Sequence, residues 1–435
     1  MSPEIAGVVG LLVLFVLLFA GMPIGIGMAL VGFGGFAYLW GLDSALTQIG
    51  LTTYASVAAQ AMSVVPLFIV MGHLAFASGL TENAYDAAHM ALGRLPGGLA
   101  MSTIGASAGF AACTGSSLAS AATMTKVALP EMLRYKYDPK LAAGSIAAGG
   151  TLGILIPPSV PMIVYAIITE TSIGRLFIAG IIPGILLSAL FMLVIYLMVK
   201  TIPPVGGPPV VKFTWRTISA IAVRIWPALL LAVIVMGGIW GGVFSPTEAG
   251  GMGAFAALVI ALARRKLTKQ NFIEALRETT KTTAMIFVIV IGAMIFGAFM
   301  TISGLPAALV TFLGGIELPS IAVLVIILIM YVFLGCIMDT LALTLITLPI
   351  IFPLILSLDF DPIWFGILFT INVEMALVTP PIGINVFIIS GMAKDIPMYT
   401  IFRGVLPFIG AMVVCTALII AFPQIALFLP GTMIK

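Results

Sequence analysis

Long apolar runs separated by short polar breaks dominate the chain. Runs of roughly 17–25 apolar residues are candidates for membrane-crossing helices. In the first half such runs cover Ile5–Ala20, Ile24–Trp40, Met62–Ser78 and Leu176–Val199. In the second half they cover Trp226–Val243, Ala249–Ala263, Thr283–Met300 and Ile401–Phe422. Each half also holds a longer apolar stretch, about Leu99–Met132 and about Ser320–Ser357, interrupted by a polar centre: CTGSS at Cys113–Ser117 and CIMDT at Cys336–Thr340. Each stretch either crosses the membrane twice with its polar turn outside, or folds as a re-entrant hairpin with its tip inside.

Two doubled prolines punctuate apolar sequence, Pro157-Pro158 in GILIPPSVP and Pro380-Pro381 in ALVTPPIGIN. Proline lacks an amide donor and clashes with the preceding turn. Each pair therefore predicts a kink or a true break, and doubling in both halves favours a break. Broken helix at membrane depth is tolerated where it faces protein or a water-filled cavity. Matched breaks in two halves point to a transporter's binding site near the bilayer midplane.

The punctuation repeats. Cys113 falls on Cys336, an offset of 223 (336 − 113), and Pro130 on Pro353, Asp138-Pro139 on Asp361-Pro362 and Pro157-Pro158 on Pro380-Pro381 keep it. Upstream, Ser78-Gly79-Leu80 falls on Ser303-Gly304-Leu305 at 225 (303 − 78). This predicts a duplication: residues 1–200 as one repeat, 201–225 as a linker, and 226–435 as the second repeat.

Composition and charge set the solvent and the orientation. The 435 residues are 61% hydrophobic and 8% charged, with a mean hydropathy of +1.25, whereas soluble domains carry about 25% charge. The chain reads as a polytopic membrane protein, and its formal charge of +3 gives no reason to expect nucleic acid. Arg134–Lys140, Lys200–Arg224 and Arg264–Lys281 hold most of the Lys and Arg, which places them on the cytoplasmic side. The counterpart segments, Ser357–Asp361 with two Asp and Gly314–Ser320 with only Glu317, are acidic. Equivalent loops then lie on opposite sides. Each half would have five crossings plus one hairpin, the second half would be inverted, and both termini would be periplasmic.

Pro203–Trp215 reads as a Pro/Gly-rich linker. Leu267–Lys281 reads either as an amphipathic helix lying on the cytoplasmic surface or as an ordinary solvated loop helix. The N-terminal run has no basic leader and no clear cleavage site, so it reads as a retained first helix. Cys113, Cys336 and Cys415 form no C-x-x-C pair and suggest neither a disulfide frame nor a metal site. No G-x-x-x-x-G-K-[ST] or H-E-x-x-H motif occurs, so nucleotide-driven and zinc-peptidase chemistries have no carrier.

Asp339 is the sharpest single candidate. It is the only acid between Ser320 and Ser357, and an Asp at the bilayer centre costs about 2.5–3.5 kcal/mol. Beside Thr340 it offers hard oxygens that suit a hard cation such as Na+; alternatively the turn reaches the headgroups and Asp339 is a loop residue. The counterpart at 116 is Ser116, within Thr114-Gly115-Ser116-Ser117. Those hydroxyls suit a second, less charged cation site, or serve close helix packing with the rest of SSLASAAT. The breaks would free carbonyls at Gly153, Ile156 and Pro157 beside the first polar centre, and at Ala376, Thr379 and Pro380 beside the second. Half-helix N-termini after the breaks suit an anionic group. Ser117, Pro158, Ser159, Pro381 and Asn385 are the candidate substrate contacts, Asn385 equally a brace for the break. Glu374, Asn372, Lys126, Arg175 and Glu170 are weaker candidates, and His73 reads as a packing residue.

Seven segments carry a family resemblance: GMPIGIGMAL (Gly21–Leu30), CTGSSLAS (Cys113–Ser120), GTLGILIPPS (Gly150–Ser159), LFIAGIIPG (Leu176–Gly184), FSPTEAG (Phe244–Gly250), the Asp339 turn and VTPPIGIN (Val378–Asn385). With them the chain resembles the large membrane subunit of tripartite ATP-independent periplasmic (TRAP) transporters, the DctM-like family. The resemblance implies an all-α, inverted-repeat, elevator-type fold with two re-entrant hairpins (about 99–133 and 320–357) and two broken helices (153–161 and 376–385). It implies Na+-coupled uptake of a small organic anion, such as a C4-dicarboxylate or sugar acid, in the bacterial inner membrane. The implied partners are a small four-helix membrane subunit and a periplasmic substrate-binding protein, with no cofactor beyond Na+ as coupling ion. The family's first Na+ site falls on Thr114, Gly115 and Ser116 with Gly153, Ile156 and Pro157, a threonine standing where the family has serine. The second falls on Asp339 and Thr340 with Ala376, Thr379 and Pro380. Alternative readings are a self-sufficient Na+/organic-anion symporter of related fold and a non-transporting subunit of a membrane complex.

Overall fold

A computed structural model describes residues 1–206, 215–314 and 318–434, without the side chains of residues 81, 82, 112–114, 203, 204, 215–220, 313 and 314. Every regular element among the described residues is helical. Seven helices are long and apolar enough to cross a membrane, or eight if Pro139–Leu155 and Val160–Ile168, bent by 42°, count as one span. Glu317, used above for orientation, lies outside the described residues.

Local chemistry explains where the helices start. Asp138 and Asp361 each precede a proline and cap the next helix, Asp138 through the Lys140 amide at 2.7 Å and Asp361 through the Ile363 amide at 2.8 Å. Proline suits the first helical position because its missing amide has no helical partner there. The SPTEAG segment folds as a capping box that opens Pro246–Ala263: Ser245 accepts from the Glu248 amide, and the Glu248 carboxylate accepts from the Ser245 amide at 2.8 Å. These caps satisfy amides that helix geometry leaves open.

The elements recur at the sequence offset. Ser117–Arg134 and Thr340–Ser357 start and end 223 positions apart (340 − 117 and 357 − 134). Pro139–Leu155 and Pro362–Ala376 start at the same spacing. Lys136 and Asp359, before those helices, share left-handed φ values of 61° and 59°, and both Pro-Pro bonds are cis.

Two packing groups emerge. In the first, Ile24–Trp40 lies against Lys269–Ser303, and Val64–Ala77 packs on both Lys269–Ser303 and Pro246–Ala263. The contact is backbone on backbone: a Cβ at Gly25 would stand 2.7 Å from the Val288 carbonyl oxygen, and one at Gly32 would stand 2.7 Å from the Phe296 nitrogen. In the second group, Pro139–Leu155 is sandwiched among Gly98–Thr114, Ser117–Arg134 and Met398–Ala421. Glycine again permits the approach, since Gly144 meets the carbonyl of Gly404 and Gly404 that of Lys140. Pro362–Ala376 packs on Ser320–Gly335, and Ile384–Met392 packs on Ser117–Arg134, which ties the second hairpin and break to the first.

Three expectations change. The amphipathic segment at Leu267–Lys281 is not a separate surface helix. It forms the first turns of the 35-residue helix Lys269–Ser303, because no glycine or proline interrupts the chain between Lys269 and Ile291. That helix is about 52 Å long and outreaches a hydrocarbon core of about 30 Å. The helix expected from Trp226 begins at Trp215, inside the expected linker, and includes one π-helical turn at Val233–Gly237. Finally, Leu42–Ala58, Leu80–Leu92, Leu305–Gly314 and Gln424–Gly431 are helices that the apolar runs did not mark.

Candidate functional site

The first hairpin turns at Gly115, with φ of 60°, and at Ser116. The Ser116 hydroxyl accepts the Ala119 amide at 3.3 Å and starts the second arm. The turn sits directly on the first break. A Cβ at Gly115 would stand 2.6 Å from the Pro158 carbonyl oxygen, and one at Gly153 would stand 2.7 Å from that of Ser116. Only glycine allows backbone to approach backbone at both points. Pro157 and Pro158 carry no amide, so the carbonyls of Gly153 and Ile154 lose their helical partners. Gly115 and Ser116 thereby meet Gly153 and Pro158 at one turn, with Ile156 and Pro157 between those two in sequence. The Thr114 side chain lies outside the described residues.

The second tip is built alike with one charge added. Asp339 Oδ1 accepts the Ala342 amide at 2.8 Å and starts Thr340–Ser357. The tip leans on the second break: Cys336 Sγ donates to the Pro380 carbonyl at 3.4 Å, and a Cβ at Gly335 would stand 2.6 Å from Ala376 Cβ. Thr379 Oγ1 donates to the Met375 carbonyl at 2.6 Å, which leaves its oxygen lone pairs for another partner. The expected open carbonyl at Ala376 is instead engaged by the Thr379 amide at 3.1 Å, and that of Leu377 by the Asn385 amide at 3.1 Å. The second break, residues 377–383, is long enough to fold back on itself; the first, residues 156–159, is not.

Both tips face one cavity of about 490 Å³. Ser117, Leu118 and Ala119 line it from the first hairpin, with Gly115 and Ser116 at the turn; Asp339, Thr340 and Leu341 line it from the second. Val160 and Pro161 begin the half-helix after the first break, and Ile384 begins the one after the second. Four helices thus start at this wall and turn the positive ends of their dipoles toward it. The opposite wall comes from the first packing group: Ile69, Gly72, His73 and Phe76 on Val64–Ala77, and Thr282, Met285 and Ile286 on Lys269–Ser303. Among the described residues no Lys or Arg lines the cavity. A second space of about 450 Å³ shares Phe76, Ala122 and Thr123 with it and carries Lys126 and Lys266.

Of the expected substrate contacts, Ser117 lines the cavity and the other four do not. The Pro158 carbonyl is covered by Gly115, the Ser159 hydroxyl caps the Met162 amide at 3.4 Å, Pro381 is exposed, and Asn385 is buried. These residues cluster at the breaks in sequence, but the helix starts project one turn beyond them. His73, read as a packing residue, lines the cavity. Only the fold brings Val64–Ala77 opposite the tips. Glu374, a weaker candidate by sequence, is the only Asp, Glu, Lys, Arg or His among the described residues that is buried.

Discontinuous helices whose ends converge on one cavity, inside a bundle of apolar spans, define a polytopic membrane transporter. The comparisons with known proteins give the same class. The Alcanivorax borkumensis YdaH transporter structure superposes with a TM-score of 0.67 over 89% of this chain and 90% of that one, at 15% sequence identity. The chain belongs to the family described as tripartite ATP-independent periplasmic transporter, DctM component, whose model matches residues 11–425. It is a transporter component and not an enzyme. Among similar proteins, the sialic acid TRAP transporter large permease protein SiaM of Vibrio cholerae is 34% identical over 95% of this chain and 96% of its own length. The C4-dicarboxylate TRAP transporter large permease protein DctM of Pseudomonas aeruginosa is 35% identical over 84% of this chain and 85% of its own. An isethionate TRAP transporter permease protein named DctMQ, from Oleidesulfovibrio alaskensis, is 33% identical over 95% of this chain, which spans 65% of that protein.

Proposed function

We propose that this chain is the large permease subunit of a Na+-coupled TRAP transporter that imports a small organic anion across the bacterial inner membrane. The observation that carries the reading is the convergence of four helix N-termini on one cavity whose wall, among the described residues, holds no Lys or Arg. Open amides and aligned dipoles attract a carboxylate there. Na+ bound at the first tip (Gly115, Ser116, Gly153, Ile156 and Pro157) and at the second (Asp339, Thr340, Thr379 and Pro380) would add positive charge beside it. The relatives named for sialic acid, C4-dicarboxylate and isethionate are all named for acids. The apolar remainder of the wall, with Phe76, Phe110, Leu118 and Met285, suits an anion with an apolar body.

In this reading the two halves are inverted repeats, the hairpins are re-entrant, and the second packing group moves as an elevator against the first. The basic segments are cytoplasmic and both termini periplasmic. The Lys126 and Lys266 space then lies on the cytoplasmic side and forms the exit path. A periplasmic binding protein delivers the substrate and a small four-helix subunit supports the first packing group.

The test is uptake into proteoliposomes with the small subunit and binding protein added or omitted, under an imposed Na+ gradient. Uptake should require Na+ and both partners. Robust uptake by the chain alone would mean a self-sufficient symporter, uptake indifferent to Na+ would overturn the Na+ coupling, and no uptake with all partners present would mean a non-transporting subunit.

A further inference from the structure

Glu374 lies in the last turn of Pro362–Ala376, behind the cavity wall and 1% exposed. Its Oε1 accepts the Thr340 hydroxyl of the second hairpin at 3.4 Å, while its Oε2 has no partner. The Ser117 hydroxyl of the first hairpin stands near the same carboxyl, outside hydrogen-bonding geometry, and is itself unpartnered. Asn385, from the half-helix after the second break, is 0% exposed and both atoms of its amide lack partners. It faces the same turn: a Cβ at Gly150 would stand 3.4 Å from Asn385 Nδ2 and 3.3 Å from the Ser117 carbonyl oxygen. Four segments therefore meet here, and Glu374 Oε2, the Ser117 hydroxyl and both atoms of the Asn385 amide are left without partners. Glu374 has no ion pair among the described residues.

A buried carboxylate without a counter-charge is strongly unfavourable. Buried polar atoms are otherwise nearly always satisfied, so a cluster of unsatisfied oxygens needs an occupant. The donors are carboxylate, hydroxyl and amide oxygens, the set preferred by a hard cation and shunned by a soft one. We infer that Glu374 binds a hard monovalent cation, Na+, at the junction of the two hairpins, with Ser117 and Thr340 as hydroxyl ligands and Asn385 Oδ1 in reach. This position adds to the two tip positions, shares Thr340 with the second, and deepens the Na+-coupled reading on which it rests. It differs from them in bridging the hairpins. A cation here sets the spacing between Ser117 and Thr340, which both line the cavity. Its occupancy then organises the substrate wall from behind.

The experiment measures Na+ binding to the purified complex of this chain with its small subunit, by calorimetric titration and by Na+-dependent thermal stabilisation, with choline as the replacement ion. Glu374→Gln, nearly isosteric, should bind one Na+ fewer than the wild type and need about tenfold more Na+ for half-maximal stabilisation, the scale on which metal affinity responds to loss of a supporting group. Ser117→Ala, which keeps the carboxylate, should weaken Na+ binding without lowering the count, and it serves if Glu374→Gln does not fold. Equal count and affinity in wild type and variant would mean that water or a proton satisfies Glu374, and the inference would fail while the Na+-coupled reading stood. A wild-type complex that binds no Na+ at all would overturn both.

Discussion

Ser116 and Asp339, 223 positions apart (339 − 116), perform the same local task with different charge. Each accepts the amide of the residue three positions on, at 3.3 Å for Ala119 and 2.8 Å for Ala342, and each starts the second arm of a hairpin whose tip faces the cavity. The relationship separates a structural role, capping, from an electrostatic one, which only Asp339 carries.

That separation can be measured. Asn caps a helix about as well as Asp, whereas Ala at the cap costs about 1 kcal/mol. Asp339→Asn should therefore keep the thermal stability of the wild type and lose Na+-driven uptake. Asp339→Ala should lose uptake and also melt earlier. Unchanged Na+ dependence in Asp339→Asn would remove Asp339 from the cation site.

The seating of the first tip on its break gives a second prediction. A Cβ at Gly153 would stand 2.7 Å from the Ser116 carbonyl oxygen, whereas Gly34 has nothing within 4 Å. Gly153→Ala should cost about 1–3 kcal/mol, as overpacking does, and should push the tip away and abolish uptake. Gly34→Ala should leave both properties intact. Thermal melting and uptake of the two variants side by side decide it.

The third prediction separates ion binding from substrate passage. Ala122 borders both the main cavity and the space with Lys126 and Lys266. Ala122→Trp should plug the boundary and reduce uptake to background. Na+-dependent thermal stabilisation should persist, since no proposed cation ligand is touched. Loss of both readouts together would show that the plug disturbs the tips themselves.

The fourth concerns the first break. Replacing Pro157 and Pro158 together by Ala restores two amides, which can then bond the Gly153 and Ile154 carbonyls in helical fashion. The helix should run on, and the Na+ concentration for half-maximal uptake should rise about tenfold, the scale of lost metal ligation support. A titration of uptake rate against Na+ at fixed substrate reads the result.

The tips and breaks were legible because membrane helices tolerate few polar or proline residues, so CTGSS, CIMDT and the two Pro-Pro pairs stand out. Ile24–Trp40 was legible to its ends, framed by Pro23 and Gly41. Leu42–Ala58 and Leu80–Leu92 were not, because their polar residues dilute the apolar run. The cavity wall opposite the tips was hidden for a different reason. Ile69, Met285 and Ile286 have the same composition whether they face lipid, protein or a cavity. Glu374 was visible as an acid in apolar sequence, but its enclosure between Ser117 and Thr340 depends on segments more than 30 residues away.

Gly25 and Gly32 bring Ile24–Trp40 into direct backbone contact with Lys269–Ser303, the helix that supplies Thr282, Met285 and Ile286 to the cavity. No layer of side chains lies between the two backbones at these points. Drift in the lipid-facing residues of either helix therefore leaves the register of this wall alone. A lineage moving to a membrane of different thickness or lipid content can rewrite its outer surface freely, while the two glycines hold an inherited reference plane for whatever substrate the cavity is selected to accept.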